Sequence, residues 1–237
     1  MTSIDKKIGK LEPGRTEKNE YAFRLPTRIG IYGSSGTGKT HWLVRYLCEK
    51  KYGLGQFDQI IWVTPPGSFA QGKLKLMQQT WKEFYKPVEG LDEAKIEELI
   101  AEGESQKWVT LVVFDDLMLD TGKSKYVQRL FISGRHRGVS VCELRQQIFS
   151  GPRTSRLQME YYVLFRNGAQ RDEAKRLFAQ ITSNARDRDL MMAAYRGITE
   201  RPGGHGCLII DTKSAESEGL RARDTDMDVV IPQLAHV

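Results

Sequence analysis

The chain is poor in the residues that build metal cages and covalent cross-links. Its 237 residues include four histidines and three cysteines. Cys48, Cys142 and Cys207 are odd in number, widely spaced and without a C-x-x-C pair, which argues against a disulfide framework and a zinc knuckle. Buried free thiols in a reducing compartment are the expectation. No apolar run approaches the ~20 residues of a membrane span, and the N-terminus has no signal-peptide core. These absences predict an intracellular protein with no transmembrane segment. Internal repeats and low-complexity tracts are missing too, which excludes solenoids and arrays.

What remains is ordinary globular material with a basic bias. Hydrophobic residues make up 40% of the chain, enough to bury a core, and charged residues 28%. The net charge of +6 points to a polyanionic partner. The length suits one α/β domain.

The stretch that organises the rest is Gly33-Ser34-Ser35-Gly36-Thr37-Gly38-Lys39-Thr40, a complete G-x-x-x-x-G-K-T run. It follows the apolar Arg28-Ile29-Gly30-Ile31-Tyr32 and opens an amphipathic segment, His41 to Lys50. Strand, glycine-rich turn and helix is the context in which this spacing makes a phosphate site. The glycines admit positive φ and let backbone N–H groups close on phosphate oxygens. The helix points its positive end the same way. Lys39 then supplies a point charge for the β- and γ-phosphates, and Thr40 a hydroxyl for Mg²⁺. The competing reading is a glycine-rich turn that only joins strand to helix; the match at every position of the pattern, in this context, favours a nucleoside triphosphate, and ATP is the one that the family resemblance given below implies.

Further strands are predicted at Gln59–Val63, Trp108–Phe114, Val139–Cys142, Tyr161–Phe165 and Gly206–Ile210. Helices are predicted over Gln71–Tyr85, Leu91–Glu102, Ser124–Gly134, Arg171–Ile181 and Ala185–Tyr195. Such alternation implies an α/β fold with a mainly parallel central sheet and helices on both faces. Residues 1–20 are expected to be a flexible arm, 21–212 the domain, and 213–237 a polar tail.

The apolar run Leu111-Val112-Val113-Phe114 ends in Asp115 and Asp116. A buried strand that delivers a carboxylate in this way makes Asp115 a Mg²⁺ ligand and Asp116 a base or water-positioning group. Paired aspartates at a strand end also cap helices, and Asp116 is shorter than the glutamate common at such positions. A GTPase is excluded by the lack of an N/T-K-x-D signature, since Thr212-Lys213-Ser214-Ala215 has no aspartate.

Downstream lies Leu130-Phe-Ile-Ser-Gly-Arg-His-Arg-Gly-Val-Ser-Val-Cys-Glu-Leu-Arg-Gln-Gln-Ile-Phe149. With the P-loop and Asp115-Asp116, this run resembles the viral genome-packaging ATPases of the FtsK–HerA superfamily. In that group a G-R-H segment follows the helix after the acidic strand end, and a strand then ends close to L-T-Q-x-x-F with a polar sensor glutamine. The matching positions are Gly134-Arg135-His136 and Leu144-Arg145-Gln146-Gln147-Ile148-Phe149; the resemblance runs from about Phe23 to Asp211. It implies a RecA-like P-loop NTPase of the ASCE type, active as a homo-oligomeric ring that drives double-stranded DNA into a capsid, docked at a vertex or portal component. It also implies Gln146 as γ-phosphate sensor and Arg135 or Arg137 as a finger reaching a neighbour's nucleotide. The plainer alternatives are a satisfied buried amide and surface arginines. His136 between them is read as a capping or packing residue. The setting implied is an infected host cell at the site of virion assembly, with virion association as a further expectation. Arg145 departs from the threonine usual at its position, putting a bulky cation beside the sensor.

Cations outnumber acids from Lys123 to Arg201. The loop Ser150–Arg156, directly after the sensor, carries Arg153 and Arg156, the residues expected to touch DNA phosphates without reading sequence. For Arg171 to Arg188, solvated basic helix faces are the simpler account. Two other readings stay open: a nucleoside or nucleotide kinase indifferent to DNA, and a non-hydrolysing NTP-binding assembly protein.

Overall fold

The computed structural model describes residues 22–67, 74–117, 123–168, 171–200, 205–212, 221–227 and 229–231. The expected N-terminal arm, 1–20, lies outside the described residues. The chain forms two compact units, Met1–Arg28 with Thr40–Leu144, and Ile29–Lys39 with Arg145–Val237. Strand β1 (Arg28–Tyr32) and helix α1 (Lys39–Cys48) each have their first residue in one unit and the remainder in the other.

The first unit is built on parallel strands. These are β2 (Gln59–Thr64), β3 (Tyr85–Glu89), β4 (Thr110–Asp115) and β5 (Val139–Arg145, whose last residue, Arg145, belongs to the second unit), in the order β3-β2-β4-β5. Ile60 pairs with Leu111, and Val112 with Val141. Ile60, Ile61, Trp62, Val63, Leu111, Val112, Val113 and Val141 have no solvent exposure. Such unbroken β-branched and aromatic runs are what a parallel strand buried on both faces requires. Truncating any of these Ile, Leu or Trp side chains to alanine typically costs about 2–5 kcal/mol. Helices α2 (Lys75–Trp81), α3 (Glu93–Ser105) and α4 (Lys125–Ser133) complete the unit. Asp92 caps α3 by accepting from the Lys95 N–H at 3.0 Å, and Ser124 caps α4 by accepting from Val127. The Ser124 hydroxyl also donates to Glu93 at 2.6 Å, tying the two helix starts together. At the other end of α4, buried Arg28 donates from Nε to the Phe131 carbonyl at 2.7 Å and from Nη2 to Ile132. A cation there satisfies terminal carbonyls and faces the negative end of the helix dipole.

Asp58, 2% exposed, accepts from the Val109 N–H at 2.7 Å, while its other oxygen has no partner among the described residues. Burial pushes its carboxyl up to about 6, against a partial lowering by the Val109 bond. A raised carboxylate pKa means the folded state holds a proton that the unfolded state has released between about pH 4 and 6, so stability falls as pH rises through that window. Asp58→Asn keeps an acceptor for Val109 and removes the charge. Above pH 6 it is expected to be the more stable protein by on the order of 2 kcal/mol, with the gap closing toward pH 4. Chemical denaturation of both proteins at pH 4 and pH 8 measures this; equal gaps at both pH values would remove Asp58 as the cause.

The second unit carries β1, β6 (Tyr161–Phe165), β7 (Cys207–Asp211), β8 (Arg221–Arg223) and β9 (Val229–Ile231), in that order. β1 and β6 are parallel, with Ile31 beside Val163; β6–β7, β7–β8 and β8–β9 are antiparallel. Its helices are α5 (Arg153–Leu157), α6 (Arg171–Ile181) and α7 (Ala185–Thr199). Phe178 of α6 packs edge-on against Tyr195 of α7, centroids 6.3 Å apart.

The structure departs from the sequence reading at five places. The helix expected to Tyr85 stops at Trp81, and Tyr85–Glu89 is a strand; Gln71 to Lys73 of that expected helix lie outside the described residues. β3 pairs only with β2 among the described strands, the edge position where Pro87, having no N–H, is tolerated. The strand expected from its apolar run at Val139–Cys142 continues to Arg145, close to the strand end at Leu144-Arg145-Gln146 that the resemblance implies. The loop Ser150–Arg156 contains a helical turn from Arg153. The expected polar tail contains β8 and β9. Finally β7 runs antiparallel to β6, a direction that alternation of helix and strand does not encode.

Candidate functional site

In the second unit the P-loop is anchored at its start by two strand ends. The Gly33 N–H donates to the Arg145 carbonyl at 3.2 Å, and the Ser34 N–H to the Arg166 carbonyl at 3.3 Å. Gly33 passes so close to β6 that a Cβ would lie 2.6 Å from the Phe165 Cβ, a contact no side chain can make. Gly38 sits at φ +98°, where other residues are strained. The Thr37 hydroxyl donates to the Ser34 carbonyl at 2.8 Å and closes the loop. Lys39 Nζ donates to the carbonyls of Gly33 at 2.6 Å and Ser34 at 3.0 Å. The ammonium is thus held over the loop where phosphate oxygens would compete for it. Ser35 and Gly36 are exposed at the loop's tip. His205, whose Nδ1 lies 3.3 Å from the Thr37 carbonyl, flanks the far side.

Gln146 follows β5 and is exposed, so the alternative of a satisfied buried amide does not apply. Strand alternation sends its neighbour inward: Arg145 is 2% exposed, and a Cβ on Gly151 would touch its guanidinium at 2.9 Å. The cation expected beside the sensor is therefore packed away beneath it. One residue that the sequence reading passed over joins these parts. Asn167, just beyond β6, accepts from the Ser34 hydroxyl at 3.1 Å and donates from Nδ2 to the Gln146 carbonyl at 3.2 Å. Its own N–H donates to the Tyr195 hydroxyl, which in turn donates to the Phe165 carbonyl at 2.9 Å. A polar residue directly after a buried strand was the available signal, because ligand sites of open α/β sheets lie at strand carboxyl ends. For His205 no such signal exists.

In the first unit the Thr40 hydroxyl lies 3.1 and 3.3 Å from the two oxygens of Asp115. A hydroxyl and a carboxylate, hard oxygens at one point, fit Mg²⁺, which takes a few protein oxygens and completes its shell from phosphate and water. Among the described residues no cluster of three or more His, Cys, Asp or Glu offers a different metal site. The Asp115 charge sits among buried groups that stay neutral. Burial, then Asp115, drives the Tyr85 hydroxyl far above its ordinary range; burial, then Asp115 and Glu143, raises the Cys142 thiol. A carboxylate in this setting favours a cation. Asp116 is exposed and held at φ +58°, its N–H donating to the Leu144 carbonyl at 3.3 Å. A left-handed conformation at a non-glycine residue costs about 1–3 kcal/mol and concentrates at functional sites.

Arg135 and Arg137 differ sharply. Arg137 forks onto two carboxylates of α3, at 2.6 and 2.8 Å to Glu104 and 2.7 and 3.1 Å to Glu97. These bonds lower the pKa values of both glutamates. Arg135 is exposed, and its guanidinium forms no ion pair among the described residues. His136, expected to cap or pack, is exposed as well. Arg153 is exposed on α5, and Arg156 is half-buried with its guanidinium over Phe149. No helix among the described residues is long and apolar enough to cross a membrane.

The family model described as the NB-ARC domain matches residues 5–175. A search of the curated proteins gives no match. Among solved structures, the chain is similar to the DNA-packaging ATPase B204 from Sulfolobus Turreted Icosahedral Virus. The TM-score is 0.55 at 13% identity, over 83% of this chain and 96% of that one. The genome packaging NTPase B204 from Sulfolobus turreted icosahedral virus 2 in complex with ATP-gammaS gives 0.53 at 13% identity, over 84% and 98%. The same NTPase in complex with AMPPCP gives 0.52 at 15% identity, over 83% and 96%. Likeness at such identities is likeness of fold.

Proposed function

This chain belongs to the NB-ARC domain family of P-loop NTPases and has the α/β fold of genome-packaging ATPases, and from that premise we propose that it is an ATP-driven motor that moves double-stranded DNA into a viral capsid. Lys39 neutralises the β- and γ-phosphates, with the N–H groups of Gly33 to Thr40 around them. Thr40 and Asp115 would hold Mg²⁺, which would supply positive charge to offset that of the nucleotide phosphates. Asp116 orients the attacking water, and Gln146 contacts the γ-phosphate or that water. Arg135 serves a neighbouring subunit's nucleotide in a homo-oligomeric ring, with Arg137 as the fixed post that sets the segment. Arg153 and Arg156 touch DNA phosphates. The motor would act where virions assemble in an infected cell, docked on a capsid vertex or portal component.

The observation that carries this reading is the junction at Asn167. It bonds both to the P-loop serine and to the backbone of the sensor segment, and that segment runs on within a few residues to the basic helix α5. An enzyme that only transfers phosphate to a small acceptor has no need to wire its phosphate loop to a cationic surface.

The test is the ATPase rate of the purified chain with and without linear double-stranded DNA, at low and moderate salt. Stimulation by DNA of any sequence, weaker at higher salt, is the expected outcome. A rate indifferent to DNA but raised by a nucleoside or nucleotide acceptor would put a kinase in its place. Nucleotide binding without turnover would mean an assembly protein that uses ATP as a conformational ligand.

A further inference from the structure

The ring of Phe149, three residues past Gln146, has two arginines stacked on it. The Arg156 guanidinium carbon lies 4.6 Å from the ring centroid and that of Arg176 lies 4.4 Å away. Arg156 comes from α5 and Arg176 from α6, so one aromatic side chain gathers cations from two helices. Neither arginine forms an ion pair among the described residues, and the Arg156 Nε is buried with no hydrogen-bond partner among them. Stacking on the ring desolvates one face of each guanidinium and fixes its plane. It leaves the N–H edges without a carboxylate, and two like charges around one ring repel each other. Glu173, one turn before Arg176 on the same face of α6, accepts from the Ile148 N–H at 2.9 Å. That bond also clamps α6 to the segment that carries Gln146.

We propose that Phe149 organises Arg156 and Arg176 into a two-pronged contact for the backbone phosphates of double-stranded DNA. This rests on the motor reading above and extends it to Arg176, on a helix whose charges look from the sequence like a plain solvated face. Planar guanidinium edges with spare donors match phosphate oxygens. The absence of base-reading chemistry makes the contact independent of sequence. The segment that carries Gln146 is thus tied to α6 by the Ile148 bond and to both arginines by the Phe149 ring.

The experiment is equilibrium binding of the full chain to a labelled linear duplex of arbitrary sequence, in the presence of a non-hydrolysable ATP analogue, over a series of salt concentrations. Removing one cation that neutralises a phosphate should flatten the slope of log K against log salt by about 0.9. Arg176→Ala and Arg156→Ala are each expected to do so. Phe149→Leu, which keeps apolar bulk but removes the platform, should weaken binding several-fold. Lys175→Ala is the control on the same helix, since Lys175 pairs with Asp172 at 3.6 Å, and should leave the slope alone. If wild type binds DNA and Arg176→Ala keeps the wild-type slope, the inference is wrong while the motor reading stands. An equal flattening in Lys175→Ala would also overturn it, showing a diffuse helix charge and no built contact. If wild type shows no salt-dependent DNA binding, the motor reading fails and takes the two-pronged site with it.

Discussion

Lys39→Ala is expected to slow ATP turnover by roughly 10²–10³-fold, the scale of losing one preorganised charge donor at a reacting group. The ammonium lies 2.6 and 3.0 Å from the carbonyls of Gly33 and Ser34, which place it at the loop. Alanine removes the charge and leaves phosphate oxygens facing carbonyl dipoles of the same sign. The loop itself should survive, because Gly33 and Ser34 are anchored through Arg145 and Arg166, and Thr37 through Ser34. Phosphate release at saturating ATP, alongside binding of a labelled ATP analogue, measures the effect. Turnover within about three-fold of wild type would take Lys39 out of the phosphate site.

The second large effect separates the two arginines of one short segment. Arg135→Ala should lower turnover about 10³-fold or more if its guanidinium stabilises the transition state in a neighbouring subunit, with little change in stability, since the side chain is exposed and forms no ion pair among the described residues. Arg137→Ala should do the reverse. It breaks a fork on Glu97 and Glu104 and leaves two adjacent carboxylates facing each other, lowering stability by about 1 kcal/mol. The figure is small because these groups are part-exposed and screened. Bonding to Arg137 lowers the pKa of both glutamates, so this stability is present above the ordinary glutamate range and is lost as pH falls through their lowered values. Mixing decides the trans geometry. Lys39→Ala subunits, with an intact finger and an empty site, are expected to restore activity to Arg135→Ala subunits, which have an intact site and no finger. If no ratio of the two regains activity, Arg135 does not act on a neighbour.

How much of the site was legible follows from how far apart its atoms are in the chain. The phosphate loop reads directly because a contiguous octapeptide makes it: glycine positions, lysine and threonine are all local. The lead-in to Asp115 reads for a related reason, since a strand buried on both faces must be continuously apolar and its polar end stands out. The strand Tyr85–Glu89 did not read. Its short Tyr-Lys-Pro-Val-Glu pattern follows a helix without a break signal, and only pairing with β2 makes it a strand. Arg135 and Arg137 are indistinguishable as letters; the two glutamates that separate them lie 33 and 40 residues away.

By itself, then, the sequence determined the P-loop, the acidic strand end, the α/β class and the place of the glutamine after β5, because each depends on residues adjacent in the chain or on a periodicity within one element. The tertiary structure alone decided what joins them. Asn167 meets Ser34 across 133 residues and Gln146 across 21. Arg145 turns inward, β7 runs antiparallel, and Arg176 meets Phe149. Hydrogen bonds and ring stacking act over a few ångströms with fixed directions, so which distant residues satisfy one another is settled only when packing brings their backbones to that range.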